Sequence, residues 1–244
     1  MNCLLVDIGN SRIKWATTNC SDEHFEINYS ITINAFIQEI IALNTKIEIA
    51  IFSSVHYDKK FIETHFSFIK KIFFLDHETS IPIINQYQTP ETLGKDRLCN
   101  VIAAQHLFEK KNILVIDCGT CIKLDSIDKN GIYKGGSISP GINMRYEALH
   151  AFTAKLPKLN AKIPDDFIGN NTMNSIHSGV VQGIIHEIEG FIYQYKRHFK
   201  NDLTIIITGG DANFLVKHLN NEIFAQNNLV LLALLIILKY NVKK

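Results

Sequence analysis

Ile113 to Asp125 reads ILVIDCGTCIKLD, and Leu4 to Ala16 reads LLVDIGNSRIKWA. In each, an aliphatic run ends on an Asp, followed one residue later by Gly and then by small polar residues: Asp7-Ile8-Gly9-Asn10-Ser11 in the first and Asp117-Cys118-Gly119-Thr120 in the second. The runs have the length and branching of buried β-strands, and the Asp-x-Gly step predicts a sharp turn into a hairpin. Glycine at such a turn lets backbone N–H groups approach a phosphate. Hydroxyl and amide side chains add donors, and the Asp can hold a cation against phosphate oxygens. A single Asp-x-Gly is an ordinary turn; the strand-terminated duplication is what points to phosphate. A copy near the start of each half predicts two similar subdomains whose turns face each other across a nucleotide cleft.

Composition narrows the partners. The 244 residues are 46% hydrophobic and 20% charged, and 25 Lys plus Arg against 24 Asp plus Glu leave a formal charge of +1. Neither that balance nor any basic block with interleaved aromatics favours nucleic acid as a partner. The five cysteines are odd in number and lack a framework spacing, which fits a reducing cytoplasm. Cys118 and Cys121 have no second pair with which to build a zinc site and read as small residues lining a tight turn. The start of the chain runs into a strand without signal-peptide features. Leu229 to Leu238, LVLLALLIIL, falls short of the roughly 20 residues that span a bilayer and reads as a buried helix. A cytoplasmic chain with no membrane partner is the expectation.

Along the chain, Ile13 to Trp15 and Phe25 to Ile31 continue an antiparallel meander, and Asn34 is the predicted cap of a helix over 35–43. A strand over 47–53, a helix over 58–69 and a short strand over 71–75 complete a mixed α/β layer. Thr89-Pro90-Glu91-Thr92-Leu93-Gly94-Lys95-Asp96-Arg97 is a loop, with Asp96 as predicted N-cap of a helix over 98–108. An adjacent Asp and Arg there are either a cap with a surface cation or a general base with an anion clamp. Gly135 to Gly141 is read as a glycine-rich loop that matches neither a P-loop nor a Rossmann turn and so implies close backbone packing. Leu156 to Asp166 is expected to be irregular, and 173–199 to be one long helix whose Gly179, Gly183 and Gly190 mark tight packing. A strand over 203–208 ends in Gly209-Gly210-Asp211, a flat backbone surface for adenine or ribose.

Taken in order, these motifs resemble those of the type III pantothenate kinases, within the sugar kinase, actin and heat-shock chaperone ATPase superfamily. Asp7 to Ser11 is similar to that family's first phosphate motif, Tyr87 with Pro90 and Gly94 to Arg97 to its pantothenate motif, and Asp117 to Thr120 to its second phosphate motif. Gly136 to Arg145, Gly169 to Thr172 and Thr208 to Asp211 resemble its glycine-rich, Gly-x-x-Thr and adenosine motifs. The resemblance implies an α/β fold of two ribonuclease H-like (actin-like ATPase) subdomains, 1–111 and 112–244, with a nucleotide cleft between them. By the same resemblance Asp7, Gly9, Asn10, Ser11, Lys14 and Thr120 contact ATP. Asp96 is the catalytic base, and Tyr87, Gly94, Lys95, Arg97 and Thr172 contact pantothenate. Asp117 binds a monovalent cation, K⁺ or NH₄⁺, and Mg²⁺ accompanies ATP. Family members are homodimers, so Thr172 can act across the interface. Four positions depart from the family pattern: Ser11, Ala16, Cys121 and Lys123, the last changing the charge beside the second turn.

The implied reaction is transfer of the γ-phosphoryl group of ATP to pantothenate, the first step of coenzyme A biosynthesis. Two competitors stand beside it: a kinase for another small hydroxylated acid, and an actin-type nucleotide-gated scaffold.

Overall fold

Both quoted stretches are strand-turn-strand hairpins in the computed structural model, which describes residues 1–43 and 45–242. The chain divides into two compact units after Leu107, and the stretch beginning at Asn228 returns to the first.

In the first unit, β1 (Asn2–Ile8) pairs antiparallel with β2 (Ile13–Asn19), which pairs with β3 (Asn28–Ser30). On its other edge β1 runs parallel to β4 (Ile49–Ser54), and β4 to β5 (Lys71–Phe74). The resulting order is β3-β2-β1-β4-β5, a mixed sheet in which every residue of β4 is buried. Helix α1 (Ile33–Ala42) is capped by Thr32, whose hydroxyl accepts from Ala35 N–H at 3.2 Å, and not by the predicted Asn34. Thr32 is the residue with extended backbone, as a cap requires. The helix buries Phe36 and Ile40 against Trp15 and Phe66. Helix α2 (Lys59–His65) has the expected cap, Asp58, which accepts from Phe61 N–H at 2.8 Å, but it ends earlier than predicted because Phe66 leaves helical geometry.

After the two-residue strand β6 (Ile84–Asn85) comes α3 (Lys95–Leu107). It begins ahead of the predicted start: Leu98 N–H donates to Gly94 C=O, which puts Asp96 within the first turn and not at the cap. An acid there still gains from the helix dipole. The C-terminal helix Leu229–Val242 packs on α3, β1 and β4. A helix that is apolar nearly all round must be covered on most sides, and this one joins the first unit. The expected division into 1–111 and 112–244 therefore differs from the observed one in this helix.

The second unit, Phe108–Asn227, contains β7 (Ile113–Cys118), β8 (Cys121–Ile127), β9 (Ile132–Pro140), β10 (Thr204–Thr208) and β11 (Phe224–Ala225). Its strands run in the order β11-β10-β7-β8-β9, parallel from β11 to β7 and antiparallel from β7 to β9. The predicted glycine-rich loop is mostly strand β9. Gly136 lies so close to β8 that a Cβ would sit 1.8 Å from Leu124 O, which meets the expectation of close backbone packing. Helix α4 (Ile142–Ala151) follows, and 156–164 has no regular structure, as expected.

The predicted long helix is broken into α5 (Thr172–His177), a π-turn at Ser178–Gln182, and α6 (Gly183–His198). Added Cβ atoms at Gly179, Gly183 and Gly190 would meet nothing within 4 Å, so these glycines do not mark tight packing. The short helix α7 (Ala212–Leu215) follows β10, and the C-terminal helix is α8. Leu114, Ile116, Leu124, Ile184, Ile188 and Ile207 form the heart of this unit's core. Each contributes about 1.5–3 kcal/mol by leaving water. Both units are α/β with a mixed sheet, the class expected from the sequence. Among the described residues no helix is long and apolar enough to cross a membrane.

Candidate active site

The first turn is built at the end of β1. Asp7 is half-buried and stands directly opposite Lys14 across the hairpin, while Asn10 and Ser11 are exposed. Gly9 N–H donates to Arg12 C=O at 3.2 Å, so that amide closes the turn itself and phosphate donors must come from the residues beyond it. A pocket of about 280 Å³ opens here, lined by Gly9, Asn10, Ser11, Arg12, His56 and Tyr57 among others. Arg12, His56 and Tyr57 were missed in the sequence. Arg12 lay within the quoted hairpin, where its charge was a usable signal. His56 and Tyr57 arrive through the pairing of Ile8 with Ser54, a register that no local pattern reveals.

The residues predicted to hold the acceptor lie in the same unit. Arg97 is buried, 4% exposed, with its guanidinium 5.5 Å over the Tyr87 ring and Nη1 donating to Tyr87 Oη at 3.5 Å. Asp96 Oδ1 accepts from Arg97 N–H at 2.9 Å, and a Cβ at Gly94 would come within 2.7 Å of that oxygen. Gly94 thus leaves the space that the Asp96 carboxylate occupies. Burial pushes the thiol of fully buried Cys99 well up, and the charges of Asp7 and Asp96 add to that.

Lys95, expected to contact substrate, has partners within its own unit. Its Nζ donates to Ser54 C=O at 2.9 Å and lies 4.5 Å from the Phe74 ring centre. Burial lowers its pKa, opposed by the fields of Asp76, Cys99 and Asp7.

The second turn is more tightly enclosed. Asp117 and Lys123 face each other across β7 and β8, and Lys123 Nζ meets Asp117 Oδ2 at 2.8 Å with both side chains largely buried. Gly119 N–H donates to Cys121 C=O at 3.1 Å, Gly141 N–H to Thr120 C=O at 3.0 Å, and Asp211 N–H to Cys118 C=O at 2.9 Å. A Cβ at Gly141 would sit 2.2 Å from Gly119 O. At Gly209, where φ is +99°, a Cβ would sit 2.3 Å from Cys118 O and 2.7 Å from Asp117 Oδ1. The predicted adenosine segment thus lies against the second turn, where burial raises the pKa of Asp211. Thr120 is exposed at the tip.

Thr172 lines a separate groove of the second unit. It is the exposed first residue of α5, and it borders a groove of about 1120 Å³ whose walls include Met144, Leu149, Phe152, Ile176 and Val180.

A family model described as type III pantothenate kinase matches residues 3–194. A protein of that description from Flavobacterium psychrophilum is 42% identical over 240 residues, covering 95% of this chain and 96% of that protein. A solved structure titled as a conserved putative Baf family transcriptional activator from Campylobacter jejuni superposes with a TM-score of 0.62 at 24% identity, covering 99% of this chain and 100% of that one. Another, the Lmo2764 protein from Listeria monocytogenes, titled a putative N-acetylmannosamine kinase, gives 0.59 at 12% identity over 99% and 100%. The two structural likenesses bear on fold alone.

Proposed function

The chain belongs to the type III pantothenate kinase family, and on that premise we propose that Asp96 is the general base in transfer of the γ-phosphoryl group of ATP to pantothenate. The protein is a pantothenate kinase, a phosphotransferase with an alcohol as acceptor, and its product is 4'-phosphopantothenate. The observation that carries the assignment is the grouping of Asp96, Arg97 and Tyr87 in the unit that also holds Asp7.

Phosphoryl transfer needs an acceptor oxygen in line with the γ-phosphate, positive charge on the phosphate oxygens and a group to receive the hydroxyl proton. Asp96 takes that proton from the primary alcohol of pantothenate. Arg97, its plane supported by Tyr87, clamps the substrate through a bidentate fork at its carboxylate or at the transferring phosphate. Gly94, having no Cβ, leaves the base its room. Gly9, Asn10, Ser11 and Lys14 on the first turn, and Thr120 on the second, bind the triphosphate.

The described residues contain no cluster of three or more His, Cys, Asp or Glu able to cage a metal ion. That suits Mg²⁺, which is commonly held by one or two carboxylates together with substrate phosphates. Asp7 fits that role, and the ion when bound supplies charge neutralisation to the triphosphate. A monovalent cation at Asp117 fits poorly. Asp117 Oδ2 already faces an ammonium, and the carbonyls of Cys118, Thr120 and Cys121 each already accept a hydrogen bond.

A second copy of the chain is proposed to cover the groove bordered by Thr172, bringing that threonine to the partner's acceptor site. Light scattering should give twice the 27.7 kDa chain mass. Five free thiols and ATP as donor support a cytoplasmic reaction. The function is tested by ADP release: stimulation by pantothenate, and not by sugars or by raising protein concentration, is the expected result. Stimulation by a sugar would select a different acceptor, and concentration-driven turnover an assembling ATPase.

A further inference from the structure

The internal duplication assigns Lys123 a role that its position in one hairpin alone would not. In the first copy Asp7 pairs across the hairpin with Lys14, and in the second Asp117 pairs with Lys123. Directly opposed side chains on an antiparallel pair lie about 4.5–5.5 Å apart at Cβ, within easy reach of a lysine. Each copy therefore places an ammonium across from the acid that ends its first strand. Lys123 Nζ closes on Asp117 Oδ2 at 2.8 Å, with side chains 16% and 15% exposed. In the first copy the field of Asp7 falls on Lys95 and Cys99.

The surroundings of Asp117 leave little for a free ion. A monovalent cation stripped of water needs several oxygen ligands. With Lys123 in place Asp117 Oδ2 is already taken by an ammonium, whereas Cys118 O, Thr120 O and Cys121 O each accept one N–H and keep a second lone pair for an ion that would come in if the lysine were removed. Asp117 Oδ1 lies beside Gly209, where a Cβ would come within 2.7 Å of it. A carboxylate with a bound ammonium has the same net charge as a carboxylate with a bound alkali cation. The lysine differs in being tethered, so its charge is present at every salt composition.

Resting on the kinase reading above, we propose that Lys123 is the resident cation of the second phosphate turn, held by Asp117 where a soluble monovalent ion would otherwise be recruited. The enzyme then works without potassium or ammonium. A lysine ammonium serves well here because it binds phosphate as a compact point charge.

The test compares wild type, Lys123→Ala and Lys123→Gln at constant ionic strength in tetramethylammonium, potassium and ammonium chlorides. It measures pantothenate-dependent ADP release and the thermal midpoint of each protein. Wild-type kcat/KM for ATP is expected to stay within about twofold across the three salts. Lys123→Ala is expected to lose on the order of tenfold to a hundredfold without potassium. It should recover most of that loss, and gain a higher thermal midpoint, when potassium or ammonium is supplied. Lys123→Gln keeps the side-chain length, and the same readings apply to it if the alanine variant does not fold.

Saturable activation of the wild type by potassium overturns the proposal. So does a neutral variant that is as active as wild type without potassium, or one equally impaired in all three salts. Wild type inactive on pantothenate in every salt would count against the kinase reading. The proposal would then stand or fall on whether potassium raises the midpoint of the neutral variants and leaves that of the wild type unchanged.

Discussion

The β1–β2 hairpin and the β7–β8 hairpin share one plan: a buried aliphatic strand, an acid at its end, a glycine whose N–H closes the turn, and a lysine across from the acid. They differ in what surrounds them. The first turn opens onto a pocket and shares its unit with Asp96 and Arg97. The second is pressed by Gly141 and Gly209 and carries its own ion pair. The same motif thus yields a turn that opens onto a pocket in one unit and a closely pressed turn with a buried ion pair in the other. Neighbours supplied by distant parts of the chain set the difference, and each prediction below strikes one side of it.

The largest effect belongs to the open side. Asp96→Asn should lower kcat by about 10²–10⁴-fold, the usual weight of a positioned base, while leaving ATP affinity close to wild type in a binding titration. Near-normal turnover would remove Asp96 from the chemistry. The next effect belongs to the closed side. Gly209→Ala places a side chain at φ +99° and against Cys118 O, so denaturant unfolding should show a loss of about 3 kcal/mol or more. Gly9→Ala is its control: the nearest atom is Arg12 O at 3.4 Å, and stability should change by less than about 1 kcal/mol. Equal losses at the two glycines would erase the contrast.

Lys14→Ala should weaken ATP binding about tenfold, the scale of one charge-assisted hydrogen bond, with the thermal midpoint little moved. Unchanged ATP affinity would leave Lys14 without a part in the open turn. The smallest effect is at Asp211. Burial raises its carboxyl pKa, so the folded state favours the protonated form. The cost is in place at neutral pH and fades as pH falls from the raised pKa toward the ordinary carboxylate range. Asp211→Asn should flatten that part of the midpoint-against-pH curve and raise the neutral midpoint by no more than about 2 °C. An unaltered curve would mean that the carboxyl is not a strained member of the closed turn.

Much of this was legible because it is local. The duplicated Asp-x-Gly announced both hairpins, and Asp58 announced the cap of α2. Other features depended on long-range partners. The glycines of 135–141 read as a loop, yet Gly136 is a strand residue whose missing Cβ admits β8. Leu229 to Leu238 read correctly as a buried helix, but an all-round apolar surface carries no address, and α8 joined the first unit. Among the site residues, Tyr87 and Arg97 do come together. Lys95 turns to Ser54 because that carbonyl and the Phe74 ring reach it through parallel strand pairing, which the sequence does not display. Lys123 was visible as a departure in charge, but its ion pair with Asp117 depends on the hairpin register.

The central claim is that Asp96 works on pantothenate beside the open turn. It is tested most directly by following ADP formation and phosphorylated product together, for wild type and Asp96→Asn, with and without pantothenate. The account predicts wild-type ADP release that depends on pantothenate and matches 4'-phosphopantothenate formed, with both nearly abolished in Asp96→Asn. ADP release that ignores pantothenate, or that survives the Asp96→Asn change, would contradict it.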